Sequence, residues 1–474
     1  MILGNKATLF LKNFSYTIIS NLISLIISTL VVLIIPKILG IEEYGYWQLY
    51  IFYSSYVGFL HLGWSDGIYL RYGGENYNAL DKKTFSSQFY LMICFQLLIA
   101  MIISIASVMM ITNSDKVFIF NMVALNLFIV NVLSILLLTL QATNRIKYYA
   151  HINILSRVSY IMLILMFLFL GIREYKIMIF ADLIGKIISL IYAIYICKDI
   201  VFHKLNSFVV GITEAIENIS VGIKLMFANI ASMLIIGVVR FGIEYSWDVA
   251  TFGKISLTLS VSNLLMIFIN AIGIVIFPIL RKLNQESLPE LYSVIKDLLM
   301  TILFGILLLY FPIKVMLSNW LPNYADSLTY MALLFPISIY EGKMGLLINT
   351  YLKTLRKEKY MMLINIIILL ISIVATLFTT IIFKNLNAAI LTILVVISIR
   401  SIVAELYLSK ILGVKVTKDI FYEIILTILF VLIGWQLPAM AGFLIYLIAI
   451  SFYLLLKKND ILLSFNRIKK YIYN

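Results

Sequence analysis

The chain reads as an all-α polytopic membrane protein of about fourteen transmembrane helices, each of roughly 18–25 residues. Three observations predict this. Apolar runs long enough to cross a bilayer recur from end to end. The composition is 62% hydrophobic and 13% charged, with a mean hydropathy of +1.03, unlike a soluble globular domain. The Lys and Arg residues collect in every second gap between the runs. Lipid offers no water to bare peptide groups, so each run must be a helix.

The first run is Phe14–Ile35. Lys6 and Lys12 precede it as in a signal peptide, but it is too long for one. Pro36-Lys37 also stands where a small-residue cleavage site belongs, so a retained helix is expected. Further runs lie near 44–63, 85–110, 118–140, 152–171, 177–197, 221–243, 252–277, 294–317, 328–352, 360–383, 386–409, 420–437 and 440–456. The outer gaps are short, and those near 244–251 and 318–327 are the longest. They leave no room for an outer catalytic domain. The largest inner connection, 198–220, carries Ile212, Ile216 and Ile219 at helical spacing, which predicts an interfacial helix. The tail repeats the pattern with Ile461, Phe465, Ile468 and Ile472.

Charge sets the orientation. The N-terminus and the even gaps hold Lys6, Lys12, Arg71, Lys82, Lys83, Arg145, Lys147, Lys198, Lys204, Lys353, Arg356 and Lys357, among others. The odd gaps hold little beyond Lys37, Lys116, Arg173, Lys176 and Lys384. The bias is about four to one and places both termini in the cytoplasm, which requires an even number of helices. The net charge of +14 is therefore topological. No basic cluster sits beside stacking aromatics, so no nucleic-acid partner is expected. Cys94 and Cys197 lie within spans, and His61, His151 and His203 are scattered, so neither a disulfide framework nor a metal site is expected.

An internal repeat is the second clue. Gly40-Ile41-Glu42 matches Gly242-Ile243-Glu244, and Tyr44-Gly45 matches Phe252-Gly253. Leu70-Arg71 matches Leu280-Arg281. Thr139, Thr143, Arg145 and Tyr149 match Thr350, Thr354, Arg356 and Tyr360. The order is kept while the offset drifts slowly. Two parallel six-helix lobes are predicted, over 1–205 and 206–415, with two extra helices and a tail over 416–474.

Charges inside the spans are costly and mark candidates for function. They are Arg157, Asp182, Lys186, Lys224, Arg240, Lys254, Glu341, Lys343, Arg400 and Glu405, with Asp66 at the end of the second span. Lys224 can snorkel. Glu341 with Lys343, or Arg400 with Glu405, can pair locally. Arg240 and Lys254 bracket the outer loop between the lead helices of the second lobe. Asn229 falls on the Arg240 face, near Ser232 and Gly237, eleven residues earlier. Thr17, Asn21, Ser24 and Ser28 make a polar stripe on the first span, and Gln48, Ser55 and Asp66 share a face of the second. Such stripes either glue helices together or line a hydrated path. The candidate cavity residues are Arg240, Lys254, Asp66, Asn21, Ser28, Asn229 and Gln48. Excess cations suit an anion, and the arginine fork suits phosphate.

Several motifs carry a resemblance. Pro36-Lys37-Ile38-Leu39-Gly40, Glu43-Tyr44-Gly45, Gly63-Trp64-Ser65-Asp66-Gly67 and Arg71-Tyr72-Gly73-Gly74 are similar to the polysaccharide-transporter branch of the multidrug/oligosaccharidyl-lipid/polysaccharide exporter superfamily. Tyr340-Glu341-Gly342-Lys343 and Asn349-Thr350-Tyr351-Leu352-Lys353 look like the same family. The resemblance implies a Wzx-type flippase of the cytoplasmic membrane, not an enzyme. Its cargo would be a polyprenyl-pyrophosphate-linked oligosaccharide for surface polysaccharide such as O-antigen or capsule. The implied partners are that lipid-linked glycan, membrane lipid and other polysaccharide-assembly proteins. No cofactor is implied, and the coupling ion, Na⁺ or H⁺, is left open. The last two helices are expected to help form a groove for the lipid tail. The rival readings are a drug or metabolite exporter of the same fold and a membrane enzyme of glycan assembly. The rival exporters usually stop at twelve helices, and no Asp-x-Asp motif supports the enzyme.

Overall fold

The long helices of the chain follow from its apolar runs, and some are closed by a capping Asp or Asn. The computed structural model describes residues 2–282 and 288–473, and all regular structure among them is helical. The first helices are α1 (Ile2–Ile38), α2 (Ile41–Ser54), α3 (Trp64–Arg71), α4 (Lys82–Met110), α5 (Ser114–Ala142), α6 (Ile146–Phe169) and α7 (Tyr175–Ile196). Next come α8 (Phe208–Ser246), α9 (Val249–Lys282), α10 (Leu288–Leu307), α11 (Tyr310–Trp320) and α12 (Ile337–Lys343). The last are α13 (Glu358–Thr376), α14 (Leu386–Leu412), α15 (Thr417–Gln436), α16 (Ala439–Leu456) and α17 (Lys458–Tyr473).

Among the described residues, twelve helical segments are long and apolar enough to cross a membrane. Two predicted spans fall outside that set. The run at 44–63 is broken: α2 gives way to a 3₁₀ turn, Val57–His61, and then to α3. Leu62 and Gly63, at φ 55° and 78°, lie in the left-handed region that interrupts a helix. The expected common face of Gln48, Ser55 and Asp66 needs a continuous helix and is lost here. The run at 252–277 lies in α9, whose 34 residues are long enough, but side chains 267–282 are outside the described residues. A total of about fourteen remains the expectation from loop charge.

The chain forms two compact units, 1–230 and 231–474, which divide within α8. In the first, α5 is the hub. Two-thirds of its most apolar stretch (67%) is buried, against 17% for α4 and for α6. Trp64, Phe85, Phe89, Met92 and Ile152 pack against its Leu136 and Leu140. Asp81 caps α4 and Asn113 caps α5, each accepting from a first-turn N–H. The predicted interfacial helix forms the opening turns of α8. Val209, Ile212 and Ile216 are exposed, while Gly211, Ala215 and Asn218 face the unit.

The second unit is built around Met331–Thr354, buried over 89% of its apolar stretch. It contains α12 and then a π-helical turn, Met344–Ile348. The two predicted extra helices, α15 and α16, belong to this unit's core. Phe430 and Tyr446 pack with Tyr310 and Phe311 of α11. The tail helix α17 packs on α10, where Arg467 Nε reaches Glu290 Oε1 at 3.1 Å. Phe465, Ile468 and Ile472 have side chains outside the described residues.

Each unit's buried hub ends in the same turn. Asn144 N donates to Gln141 O at 3.2 Å and Arg145 N to Leu140 O at 2.8 Å; Arg356 N donates to Lys353 O at 3.2 Å and Lys357 N to Leu352 O at 2.8 Å. Asn144 and Arg356 both have positive φ, 60° and 56°. The structural match therefore aligns Leu140 with Leu352 and Tyr148 with Tyr360. It moves the whole sequence alignment at this turn, Thr139, Thr143, Arg145 and Tyr149 against Thr350, Thr354, Arg356 and Tyr360, by one residue.

Candidate functional site

The predicted candidates separate into three settings. Arg240 lies in the last turns of α8. Its Nη2 donates to Ser256 Oγ at 3.0 Å, and its guanidinium sits 5.2 Å from the Phe252 ring centroid. Phe252 and Ser256 are one turn apart on α9, so they present one face to Arg240. Lys254 is two residues from each, about 200° round the helix, and is half-exposed. Among the described residues no carboxylate lies within salt-bridge distance of it. The two cations thus share a corner of the second unit but occupy different faces of α9.

The polar residues of the lead helices differ in exposure. Asn21 is exposed on α1, Ser24 and Ser28 are half-buried, and Asn229 is exposed on α8. The side chain of Thr17 lies outside the described residues. Ser232 of the same polar face does join helices, accepting from Arg400 Nη1 of α14 at 3.2 Å, whereas Asn21 and Asn229 stay open. Gln48 differs: it is buried in the first unit, with Nε2 donating to Tyr44 Oη at 2.8 Å. Asp66 begins α3, half-buried, with His61 Nε2 3.9 Å from its carboxylate.

The Gly-Trp-Ser-Asp-Gly and Arg-Tyr-Gly-Gly motifs dock α3 onto the opening of α8 within the first unit. A Cβ on Gly67 would lie 1.9 Å from Asn218 O, and one on Gly222 would lie 1.9 Å from Gly63 O, so the backbones touch. Trp64 Nε1 and Asn218 Nδ2 both donate to Gln88 Oε1, at 3.0 and 2.6 Å. Arg71 donates to Glu214 at 2.7 Å, Asn218 at 2.8 Å and Glu217 at 2.7 Å. Tyr72 Oη adds a bond to Glu214.

Most other intramembrane charges are neutralised. Lys186 Nζ meets Asp182 at 2.5 Å and Asn126 Oδ1 at 2.9 Å, while Tyr50 Oη donates to Asp182 at 2.7 Å. Arg157 and Lys224 are exposed. The local pairs expected in the second unit are exchanged. Arg400 pairs with Glu341 at 2.9 Å, and Lys343 pairs with Glu405 at 2.6 Å. Both bonds cross between α12 and α14, because the side chains meet across the helix contact rather than along one helix. Lys343 also holds Glu423 of α15. Lys296 of α10 bridges Glu405 at 3.0 Å and Asp419 at 2.6 Å. Lys457 joins Asp419 at 2.5 Å and Asp297 at 3.0 Å. The sequence reading missed Lys296, Asp297, Asp419, Glu423 and Lys457. Lys296 and Glu423 sit inside apolar runs, so the cost of intramembrane charge would have flagged them.

An all-helical bundle of long apolar segments with buried, compensated charges describes a polytopic membrane protein. Solved transporters share the fold. A structure described as the lipid II flippase MurJ in an inward closed conformation aligns with a TM-score of 0.64 at 15% identity, covering 93% of this chain and 98% of that one. An inward-facing multidrug resistance MATE family transporter of the MOP superfamily aligns with a TM-score of 0.63 at 12% identity, covering 83% and 98%. Among curated proteins no sequence match reaches significance. The chain belongs to the polysaccharide biosynthesis protein family, whose model matches residues 10–284.

Proposed function

We propose that the protein is a flippase that turns polyprenyl-pyrophosphate-linked oligosaccharide from the inner to the outer leaflet of the cytoplasmic membrane, for surface polysaccharide such as O-antigen or capsule. Its two lobes would be six-helix repeats that alternate access to the cargo. The observation that carries the reading is the exposure of Asn21 and Asn229 within apolar helices. A polar amide gains nothing from lipid, so a hydrated path is the setting that suits it. Family membership favours a glycan cargo over a drug, whereas the fold alone fits both kinds of transporter. Arg240, held in place by Ser256 and Phe252, supplies a fork of donors for a pyrophosphate, and Lys254 supplies a further cation nearby. Both termini are taken as cytoplasmic.

The test is export of surface polysaccharide in a flippase-deleted strain, read beside protein abundance. The wild-type chain should restore the polymer. Arg240→Ala should abolish it at normal abundance, and Arg240→Lys should recover part, because the charge stays while the fork is lost. Full activity of Arg240→Ala would remove the cation from the mechanism.

A further inference from the structure

The ion network of the second unit carries an unbalanced charge at its dry end. It runs without a break from Glu423 to the surface: Glu423 to Lys343, Lys343 to Glu405, Glu405 to Lys296, Lys296 to Asp419, Asp419 to Lys457, and Lys457 to Asp297. Three ammonium groups thus face four carboxylates, before the exposed Asp460 is added at the rim, 3.2 Å from Lys457. Asp297 and Asp419 border a polar recess of about 200 Å³ with Ser293, Lys296, Lys415 and Lys457. That volume holds roughly six waters at about 30 Å³ each, enough to solvate the outer carboxylates. Glu423 has no such relief. It is 2% exposed, and its Oε1 has no hydrogen-bond partner among the described residues.

The surroundings of Glu423 decide what balances it. Lys343 and Tyr340 face it from α12, Glu405 from α14, Lys296 and Tyr292 from α10, and Tyr453 from α16. Lys343 is shared with Glu405, and Lys296 is shared with Asp419, so no cation belongs to Glu423 alone. A metal ion would need several oxygen ligands, and the ammonium of Lys343 already stands between the two glutamates. Among the described residues no group of His, Cys, Asp or Glu is arranged to hold a metal. A proton needs one lone pair, which Oε1 offers. A carboxylate left charged and half-satisfied in a dry site is costly, and protonation is the ordinary remedy.

We propose that Glu423 is a proton-binding site, filled through the Asp419–Lys296–Glu405 relay from the recess beside residues 413–416, and that this proton drives the transport cycle. A hydronium ion in the recess gives up a proton and returns to water. Lys296 gives a proton to Glu405 as it takes one from Asp419, Lys343 gives one to Glu423 as it takes one from Glu405, an O–H bond forms on Glu423, and Lys343 is left to Glu405. The π-helical turn that follows Lys343 is a place where such a change of partner can shift the helix.

Proton binding can be tested without any cargo, and only the coupling half rests on the flippase reading. Infrared difference spectra would be recorded on the full chain in nanodiscs, between neutral and alkaline buffer. A protonated carboxyl band should appear at neutral pH, exchange with deuterium, and shift when Glu but not Asp is carbon-13 labelled. It should vanish in Glu423→Gln and persist in Glu358→Gln. A spectrum with no such band, or a band that survives in Glu423→Gln, overturns the site. Glu423→Asp, which keeps a carboxyl, should move the band from the Glu-labelled to the Asp-labelled set, so the assignment does not rest on Glu423→Gln alone. For coupling, an electroneutral K⁺/H⁺ exchanger should stop polymer export by the wild type, and Glu423→Gln at normal abundance should fail to export. Export that persists under the exchanger, or in the variant, removes the proton from the cycle. Failure of the wild type to export at all would count against the flippase reading and leave the infrared result standing.

Discussion

Replacing Gly222 with Ala should cost the first unit about 3 kcal/mol. The added methyl would sit 1.9 Å from Gly63 O and 2.4 Å from Gly67 N, where ordinary contact begins at 3.4 Å. Both neighbours are backbone, so no side chain can swing aside. The opening of α8 must therefore withdraw from α3 by about 1.5 Å, within the 1–3 kcal/mol typical of overpacking. That movement stretches the Arg71 bonds to Glu214 and Asn218, now 2.7 and 2.8 Å, beyond hydrogen-bonding range. Charge-assisted bonds contribute about 1.5–3 kcal/mol each when dry, and less here because water can replace them at a part-exposed Arg71. Gly305→Ala is the matched control. Nothing lies within 4 Å of its added Cβ, so it should stabilise α10 by about 0.4–1 kcal/mol through reduced chain entropy. The assay is thermal unfolding of detergent-solubilised protein, followed by size-exclusion fluorescence. Gly222→Ala should lower the midpoint by about 6–12 °C, and Gly305→Ala should raise it slightly. Equal midpoints for Gly222→Ala and wild type would refute the backbone contact, and an equal loss in both variants would refute the steric argument.

Three further outcomes follow from the charges. Lys343→Met should destabilise the second unit by about 3–5 kcal/mol by stranding two buried glutamates, whereas Lys254→Met should leave stability within about 0.5 kcal/mol and act on export; comparing abundance with export separates them. Asp199 provides a pH test outside the spans. Burial pushes its carboxyl up, but hydrogen bonds from Tyr77 and Lys82 outweigh that and hold it below the usual carboxylate range. A depressed folded value gives stability that is present above the unfolded value and lost as pH falls through the folded one. The midpoint of Asp199→Asn should therefore lie below wild type at neutral pH and converge with it in acid; a gap that widens in acid would be the wrong sign. A C-terminal tag should be reachable only from the cytoplasm, and labelling it in intact cells would sink the predicted orientation.

Spans were legible because lipid imposes one simple demand, a long apolar run with its peptide groups bonded internally. Orientation was readable for a similar reason, since loop cations act one by one. The break in the second span was not. Leu62 takes a left-handed conformation that nothing in its side chain requests. The functional reading of the glycine motifs also needed coordinates, because Gly63 and Gly67 matter through Gly222 and Asn218, more than 150 residues away. The exchanged pairs illustrate the same limit. Glu341 and Lys343 look like a pair in sequence, but two residues apart on a helix they point to different sides. Each therefore finds its partner on α14.

The two hub turns add a physical reading of the repeat. Their backbone bonds match one for one, although only some residues under them are alike. A turn is specified by hydrogen-bond geometry and one left-handed residue, and Asn144 and Arg356 both meet that requirement. Charge has no such local template. The first unit neutralises its buried Asp182 within a single turn of α7, through Lys186. The second distributes Lys343, Lys296 and Lys457 over carboxylates from several helices, including α15, which has no counterpart in the predicted repeat. The added helix pair is thus tied to its unit by ions as well as by packing, and it brings Glu423, the carboxylate that the network does not balance. If the pair served packing alone, an apolar residue at position 423 would have done the same work at less cost. The carboxyl retained there is the feature of the second unit that packing does not explain.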